Sequence, residues 1–220
     1  MAGVTGLFGT QGPLTGQLRI GASHTIGNNL LPRLLAGFMA QVPCRRPRVT
    51  IRSTALLIEQ LQRFELDLAF IEGMSGEEEL LIMPWGQDEM HVVASPDHPL
   101  ADGRSHPLAA LNDQRWVLRE PRSGTREQFE RLLLPRLERW HLALEMNANE
   151  GVNNSVAAGL GLGFMSRLAT EALCEARKLR EVRLERHFSR QLSLICHRDK
   201  YRSPLLERFL DYSRDWRPVQ

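Results

Sequence analysis

Short hydroxyl and amide side chains recur at four places where an apolar run gives way to a helical pattern. These are Ser23-His24-Thr25, Ser53-Thr54, Ser123-Gly124-Thr125 and Asn149-Glu150, with Arg119, Glu120 and Arg122 just before the third. Such groups offer recognition rather than bond making. The first N–H groups of a helix lack intrahelical partners, and that end carries a partial positive charge. A hydroxyl there can cap the helix, or it can serve a carboxylate or oxyanion held at the same spot. Arg119 and Arg122 strengthen the anion reading, because a guanidinium meets a carboxylate through two parallel hydrogen bonds. Glu72, Glu120 and Glu150 complicate it, since each could pair with an arginine or meet an amine on a ligand. The candidate binding set is Ser23, Thr25, Ser53, Thr54, Arg119, Arg122, Ser123, Thr125, Asn149 and Glu150. Each corner alone is a helix cap, but four corners at one end of parallel strands would line a single cleft.

The elements that must position these residues alternate along the chain. Strands are predicted at 17–22, 48–54, 67–71, 80–83, 89–95, 115–119, 142–146, 162–166, 179–184 and 191–197 from period-two or continuous apolar runs. Helices are predicted at 28–40, 56–64, 125–140, 151–159, 167–176 and 203–216 from apolar residues three and four apart. Pro135 should kink or split the helix at 125–140, because proline has no N–H to give. Ser203 and Pro204 read as the N-cap and first residue of the last helix. Strands alternating with helices mean βαβ units and a mostly parallel α/β sheet. Ligands in such folds sit at the carboxyl ends of the strands, where all four corners fall.

Composition narrows the function classes. The 220 residues exceed one average domain and fall short of two, so two small lobes fit. Hydrophobic content of 42% and charged content of 25% are those of a globular chain. A formal net charge of +2 speaks against this segment gripping nucleic acid by itself. Of the 28 basic residues 26 are Arg, a bias that genome composition also produces. Cys44, Cys174 and Cys196 are odd in number and have neither zinc nor CxxC spacing, which fits free thiols in a reducing cytoplasm. No apolar run reaches the length of a membrane span, and the first residues lack the pattern of a secretory signal. Glycines at 3, 6, 9, 12 and 16 mark residues 1–16 as a flexible lead-in.

Rival signals are weaker. The GLGLG run at 159–163 follows a helix and precedes a strand, the reverse of a dinucleotide loop, so its glycines end a helix and allow close packing. Ser123 stands at a strand-to-helix turn as a nucleophile would, but PRSGT is not GxSxG and no His or acid partner motif accompanies it. His98 and His106 with Asp97 and Asp102 lack metal-ligand spacing and read as a solvated turn, and Glu77-Glu78-Glu79 reads as an exposed loop. No catalytic residue, metal or cofactor is assigned.

Several stretches together carry a family resemblance. GQLRIGASHTIGNNLLPRLLAGF, DLAFIEG, HPLA, LREPRSGTRE and NEGVNNSVAAGLGLGFMSRLA resemble, in this order, the effector-binding domain of LysR-type transcriptional regulators. The likeness runs from Gln17 to about Trp216. It implies two Rossmann-like lobes joined by two crossover strands, similar to type 2 periplasmic solute-binding proteins. Lobe I would be 17–86 with 198–220, and lobe II 87–197. A small effector, a carboxylate or oxyanion, would bind between the lobes on hydroxyls matching Ser23, Thr25, Thr54 and Thr125. The resemblance also implies a homodimer or tetramer built through helices 28–40 and 167–176. Promoter DNA would be read by a winged helix-turn-helix domain that this chain lacks. Two departures are Arg122, where many relatives have Gly, and the 132–140 stretch, and both point to a more anionic ligand. A stand-alone solute-binding protein of the same fold, which would need an export signal, and a serine-dependent enzyme are the alternatives.

Overall fold

The computed structural model describes residues 14–73 and 76–217, so most of the predicted lead-in lies outside the described residues. The chain opens with β1 (Arg19–Ala22), α1 (His24–Asn29), α2 (Leu31–Gln41), β2 (Arg48–Ile51), α3 (Thr54–Gln62) and β3 (Leu68–Glu72). β1 lies between β2 and β3 and is parallel to both. β3 reads LAFIE and is buried along its whole length, as a strand covered on both faces should be.

β4 (Leu80–Ala94) then runs 15 residues, and it is followed by β5 (Arg115–Arg119), α4 (Gly124–Gln128), β6 (His141–Met146) and α5 (Asn149–Ala157). β7 (Gly163–Ser166), α6 (Arg167–Glu175), β8 (Arg180–Val182), β9 (Phe188–His197) and α7 (Pro204–Asp215) complete the chain. β9 pairs antiparallel with both β3 and β4, while β7 and β8 pair antiparallel with β4. β5 and β6 form a separate parallel pair, tied to β7 by a bridge between Trp116 and Leu162.

Four apolar cores sit two at each end of this arrangement. At the β1–β3 end, Ile20, Leu34, Phe38, Phe70 and Phe209 pack on one face of the sheet and Leu57, Leu61 and Ile71 on the other. At the β5–β7 end, Trp116, Phe129, Phe164 and Phe188 fill one face, and Val93, Val117, Val152 and Met165 the other. The long strands β4 and β9 link the two ends.

Four expectations are corrected. The two strands predicted at 80–83 and 89–95 are one, because the polar stretch between them keeps its ladder to β9 through a bulge at Pro84–Gly86. The sheet is mixed rather than mostly parallel, since β4 and β9 run antiparallel between the ends. The helix predicted at 28–40 starts only at Leu31, after a separate turn of helix; Leu30 breaks it, and Met39 faces solvent. The helix predicted at 125–140 loosens into a π turn at Phe129–Leu133 and ends in a 3-10 turn that holds Pro135. At the other end of the chain, Ser203 caps α7 as the sequence predicts, its Oγ accepting the Leu206 N–H at 3.2 Å.

Candidate functional site

Each corner follows a strand that stops where its helix begins. Ser23 sits between β1 and α1 in an extended conformation, anchored by its N–H on the Phe70 carbonyl at 2.9 Å. Its side chain is buried, yet its Oγ makes no hydrogen bond. One residue on, Thr25 is 1% exposed, and its Oγ1 accepts from Asn149 Nδ2 at 3.3 Å. Thr25 and Asn149 are 124 residues apart, so the first and fourth corners meet directly. Arg119, at the end of β5, donates from Nη1 to Asn149 Oδ1, which fixes which way the amide faces. Its Nε and Nη2 grip Glu120 bidentately at 2.7 and 2.9 Å.

The third corner follows β5, in the separate two-stranded sheet. Ser123 is the N-cap of α4, its Oγ accepting from Arg126 N at 3.4 Å, so it serves as a helix cap. Gly124 leaves room for the second corner: a Cβ there would lie 2.8 Å from Glu72 Oε2 and 3.0 Å from Thr54 Oγ1. Thr54 points its hydroxyl at Glu72 at 3.5 Å. Glu72 ends β3 and is 3% exposed. The strand is held beside β9 by two bonds of 2.7 Å, from Gly73 N to the Gln191 carbonyl and from Ser193 Oγ to the Gly73 carbonyl.

The residue that joins these corners is Arg190 on β9, and sequence reasoning missed it. Its side chain is wholly buried. Nη2 donates to Thr25 Oγ1 at 3.1 Å and Nη1 to Thr125 Oγ1 at 3.2 Å. Nε donates to Asp88 Oδ2 at 2.8 Å, and Nη2 lies 2.7 Å from the same oxygen. Asp88 stands directly opposite Arg190 in the β4–β9 register. Its other oxygen accepts from Ser166 Oγ at 2.9 Å. Burial pushes the Asp88 carboxyl up, and Arg190 pulls it back. Glu72 Oε1 is 3.7 Å from Arg190. Arg190 was findable: Phe188, Arg190, Leu192, Leu194 and Cys196 alternate onto one face, and a charge among four apolar residues on an inward face needs a partner.

The sequence-predicted residues therefore divide. Ser23, Thr25, Thr54, Arg119, Ser123, Thr125 and Asn149 are buried together at the junction of the two ends. Ser53 is half-buried at the start of α3, with no side-chain cap bond. Arg122 is outside this cluster: it adopts φ +68°, and its side chain lies on the surface with Nη2 2.7 Å from Glu59. Glu150 is exposed on the first turn of α5. His24 is half-buried beside the cluster. Burial and then the Arg119 guanidinium lower its pKa, against Glu120 and Glu72.

The rival signals resolve locally. Gly159 ends α5 at φ +80°, and a Cβ on Gly161 would press to 2.6 Å from the Arg115 carbonyl, so these glycines serve a helix end and close strand packing. His106 Nε2 is 2.9 Å from Asp102 in the turn before β5. Among the described residues no three His, Cys, Asp or Glu side chains are grouped to hold a metal, and no helix is long and apolar enough to cross a membrane.

Comparison with known proteins gives this geometry its context. Residues 11–218 match the family described as LysR substrate binding domain. The chain is 37% identical over 198 residues to the HTH-type transcriptional regulator YeiE of Escherichia coli (strain K12), covering 90% of this chain and 67% of that protein. It is 31% identical over 203 residues to the RuBisCO operon transcriptional regulator of Allochromatium vinosum, covering 92% and 67%. The chain thus spans about two thirds of the length of these relatives. Among solved structures it superposes on the Synechocystis PCC6803 CcmR regulatory domain in complex with 2-PG with a TM-score of 0.83 at 26% identity, over 91% of this chain and 96% of that one. The effector-binding domain of QuiR in complex with shikimate shares the fold, with a TM-score of 0.77 at 19% identity over 90% and 95%. The fold is that of a two-lobed, periplasmic-binding-protein-like effector-binding domain. The chain belongs to the LysR substrate-binding domain family, the effector-binding part of LysR-type transcriptional regulators.

Proposed function

We propose that this chain senses a small anionic effector, a carboxylate or oxyanion, held between two lobes at the corners of Ser23, Thr25, Thr54, Thr125 and Asn149. Lobe I would comprise 17–86 with 198–220, and lobe II 87–197. The observation that carries the reading is the meeting of helix starts from the two lobes, where Thr25 and Asn149 touch at 3.3 Å across 124 residues of chain. Hydroxyl and amide groups at helix starts suit an anion, because the N–H groups around them have no other partner.

On this reading the chain binds its effector and does not transform it. A ligand that contacts both lobes favours one angle between them, and its differential affinity sets the size of the shift. β4 and β9, which connect the lobes, carry that change. In a whole regulator it would reposition a DNA-reading segment outside this chain, through a dimer that uses α2 and α6. The relatives' names as transcriptional regulators support this assignment.

Calorimetry of the chain against small carboxylates, phosphate and phosphate esters tests the site. A compound that binds the wild type should lose at least about tenfold in affinity in the Ser23→Ala/Thr125→Ala variant, since a site built on hydroxyls is left unpaired without them. Undiminished binding by that variant would sink the assignment.

A further inference from the structure

We infer that Arg190, positioned by Asp88, sets the polarity of the cleft and so selects ligands by their acceptor oxygens. This deepens the effector reading above and rests on it. Arg190 is not a free cation waiting for an anion. It is fully buried, and two of its N–H groups are committed to Asp88 on the neighbouring strand. What it does reach is the hydroxyl of Thr25 at 3.1 Å and that of Thr125 at 3.2 Å, one after β1 and the other after β5.

A guanidinium donates and never accepts. Both threonine oxygens must therefore act as acceptors toward Arg190. Thr25 also takes the Asn149 amide N–H, whose direction is fixed because Arg119 occupies the amide oxygen. With both lone pairs of Thr25 Oγ1 engaged by N–H donors, its proton can only be given outward. Among the described residues no acceptor takes it, and none takes the proton of Thr125 or Ser23. Thr25 is thus left as a donor only, and Ser23 and Thr125 each have a proton still to give beside it. A ligand oxygen carrying lone pairs satisfies all three, whereas an amide N–H or an ammonium placed against Thr25 meets a donor with a donor.

Asp88 is the positioning residue. Its register with Arg190 and its bond from Ser166 hold the guanidinium in the plane that reaches both threonines. Ser166 is the N-cap of α6, yet its hydroxyl makes no cap bond and turns to Asp88 instead. That choice gives up a stabilising cap to secure the carboxylate.

The test uses small carboxylates, each paired with its primary amide, together with inorganic phosphate, titrated against the chain by calorimetry and thermal shift. The wild type should bind at least one carboxylate or phosphate and prefer the carboxylate over its amide by about tenfold or more. Asp88→Asn/Arg190→Gln removes both buried charges together and keeps a hydrogen-bonded pair. It should collapse the carboxylate-to-amide ratio toward unity, because glutamine can accept from the threonines as well as donate. A folded double variant that keeps the wild-type ratio overturns the inference and leaves the effector reading standing. Should that variant fail to fold, Thr25→Ser and Thr25→Val decide. Serine should retain the preference and valine lose it, and a valine variant with the wild-type ratio overturns the inference. If none of these anions binds the wild type, the effector reading itself falls, and this inference with it.

Discussion

Asp88 and Arg190 face each other across β4 and β9, with Arg190 Nε 2.8 Å and Nη2 2.7 Å from one carboxylate oxygen, and both side chains essentially excluded from solvent. Such a pair contributes little over a well-packed apolar pair, but losing one member strands the other charge. Asp88→Ala should therefore lower the unfolding free energy by about 3–5 kcal/mol. Urea denaturation of the two proteins measures it, and a loss below about 1 kcal/mol would contradict the burial of an uncompensated Arg190.

Gly124 touches the Glu72 carboxylate where α4 meets β3. Gly124→Ala places a methyl 2.8 Å from Glu72 Oε2 and 3.0 Å from Thr54 Oγ1, forcing one of them aside. A cost of about 1–3 kcal/mol is expected. Gly76→Ala is the control, because a Cβ there meets nothing within 4 Å, and it should stay within about 0.5 kcal/mol of wild type.

Gly37 on α2 lies under the Tyr212 hydroxyl of α7, and an added methyl would collide with that oxygen. Gly37→Ala should destabilise by about 1–3 kcal/mol. Adding Tyr212→Phe removes the oxygen and should recover most of the loss, so thermal melts of the single and double variants form the check. Equal loss in both would mean that the backbone, not the hydroxyl, sets the spacing of the two helices.

Glu181 on β8 faces His91 and Arg167. The imidazole at 3.9 Å is the largest influence and Arg167 at 3.2 Å adds to it, so despite partial burial its pKa is lowered from 4.5 to about 2. The folded state thus binds this proton less readily than the unfolded one, and stability rises with pH across that window. The contribution is present above pH 4.5 and is lost as pH falls toward 2. Stability of Glu181→Gln measured between pH 2 and 5 should fall less steeply with acid than that of the wild type. Superimposable slopes would show that Glu181 is not paired in solution.

The corners were legible because strand ends and N-caps are local features, set by residue type and a few neighbours. Ser203 with Pro204, the helix-ending Gly159 and the buried Thr25 follow from such rules. Arg122 was misplaced because its neighbours in sequence are not its neighbours in space: its positive φ turns it toward Glu59, 63 residues away. The pairing of Arg190 with Asp88 was hidden for a related reason, although the place of Arg190 among inward apolar residues marked it as needing a partner. Asp88 lies in the polar middle of a strand whose apolar ends looked separate, Arg190 lies just before the strand predicted at 191–197, and only the β4–β9 register brings them together. Long-range pairing of two polar stretches leaves no periodic mark that a short window can detect.

The bulge at Pro84–Gly86 has an optical consequence. It turns Trp85 out of the β4–β9 ladder, where the indole N–H bonds the Ser213 carbonyl at 2.8 Å and the ring stacks on Trp216 with centroids 5.6 Å apart and planes 11° from parallel. One tryptophan belongs to the linking ribbon and the other to the end of α7. Twisting the ribbon must slide or tilt one indole over the other, which alters their mutual quenching and exciton coupling. The chain therefore carries its own unlabelled gauge of ribbon torsion, readable by fluorescence or near-ultraviolet dichroism while ligands are added.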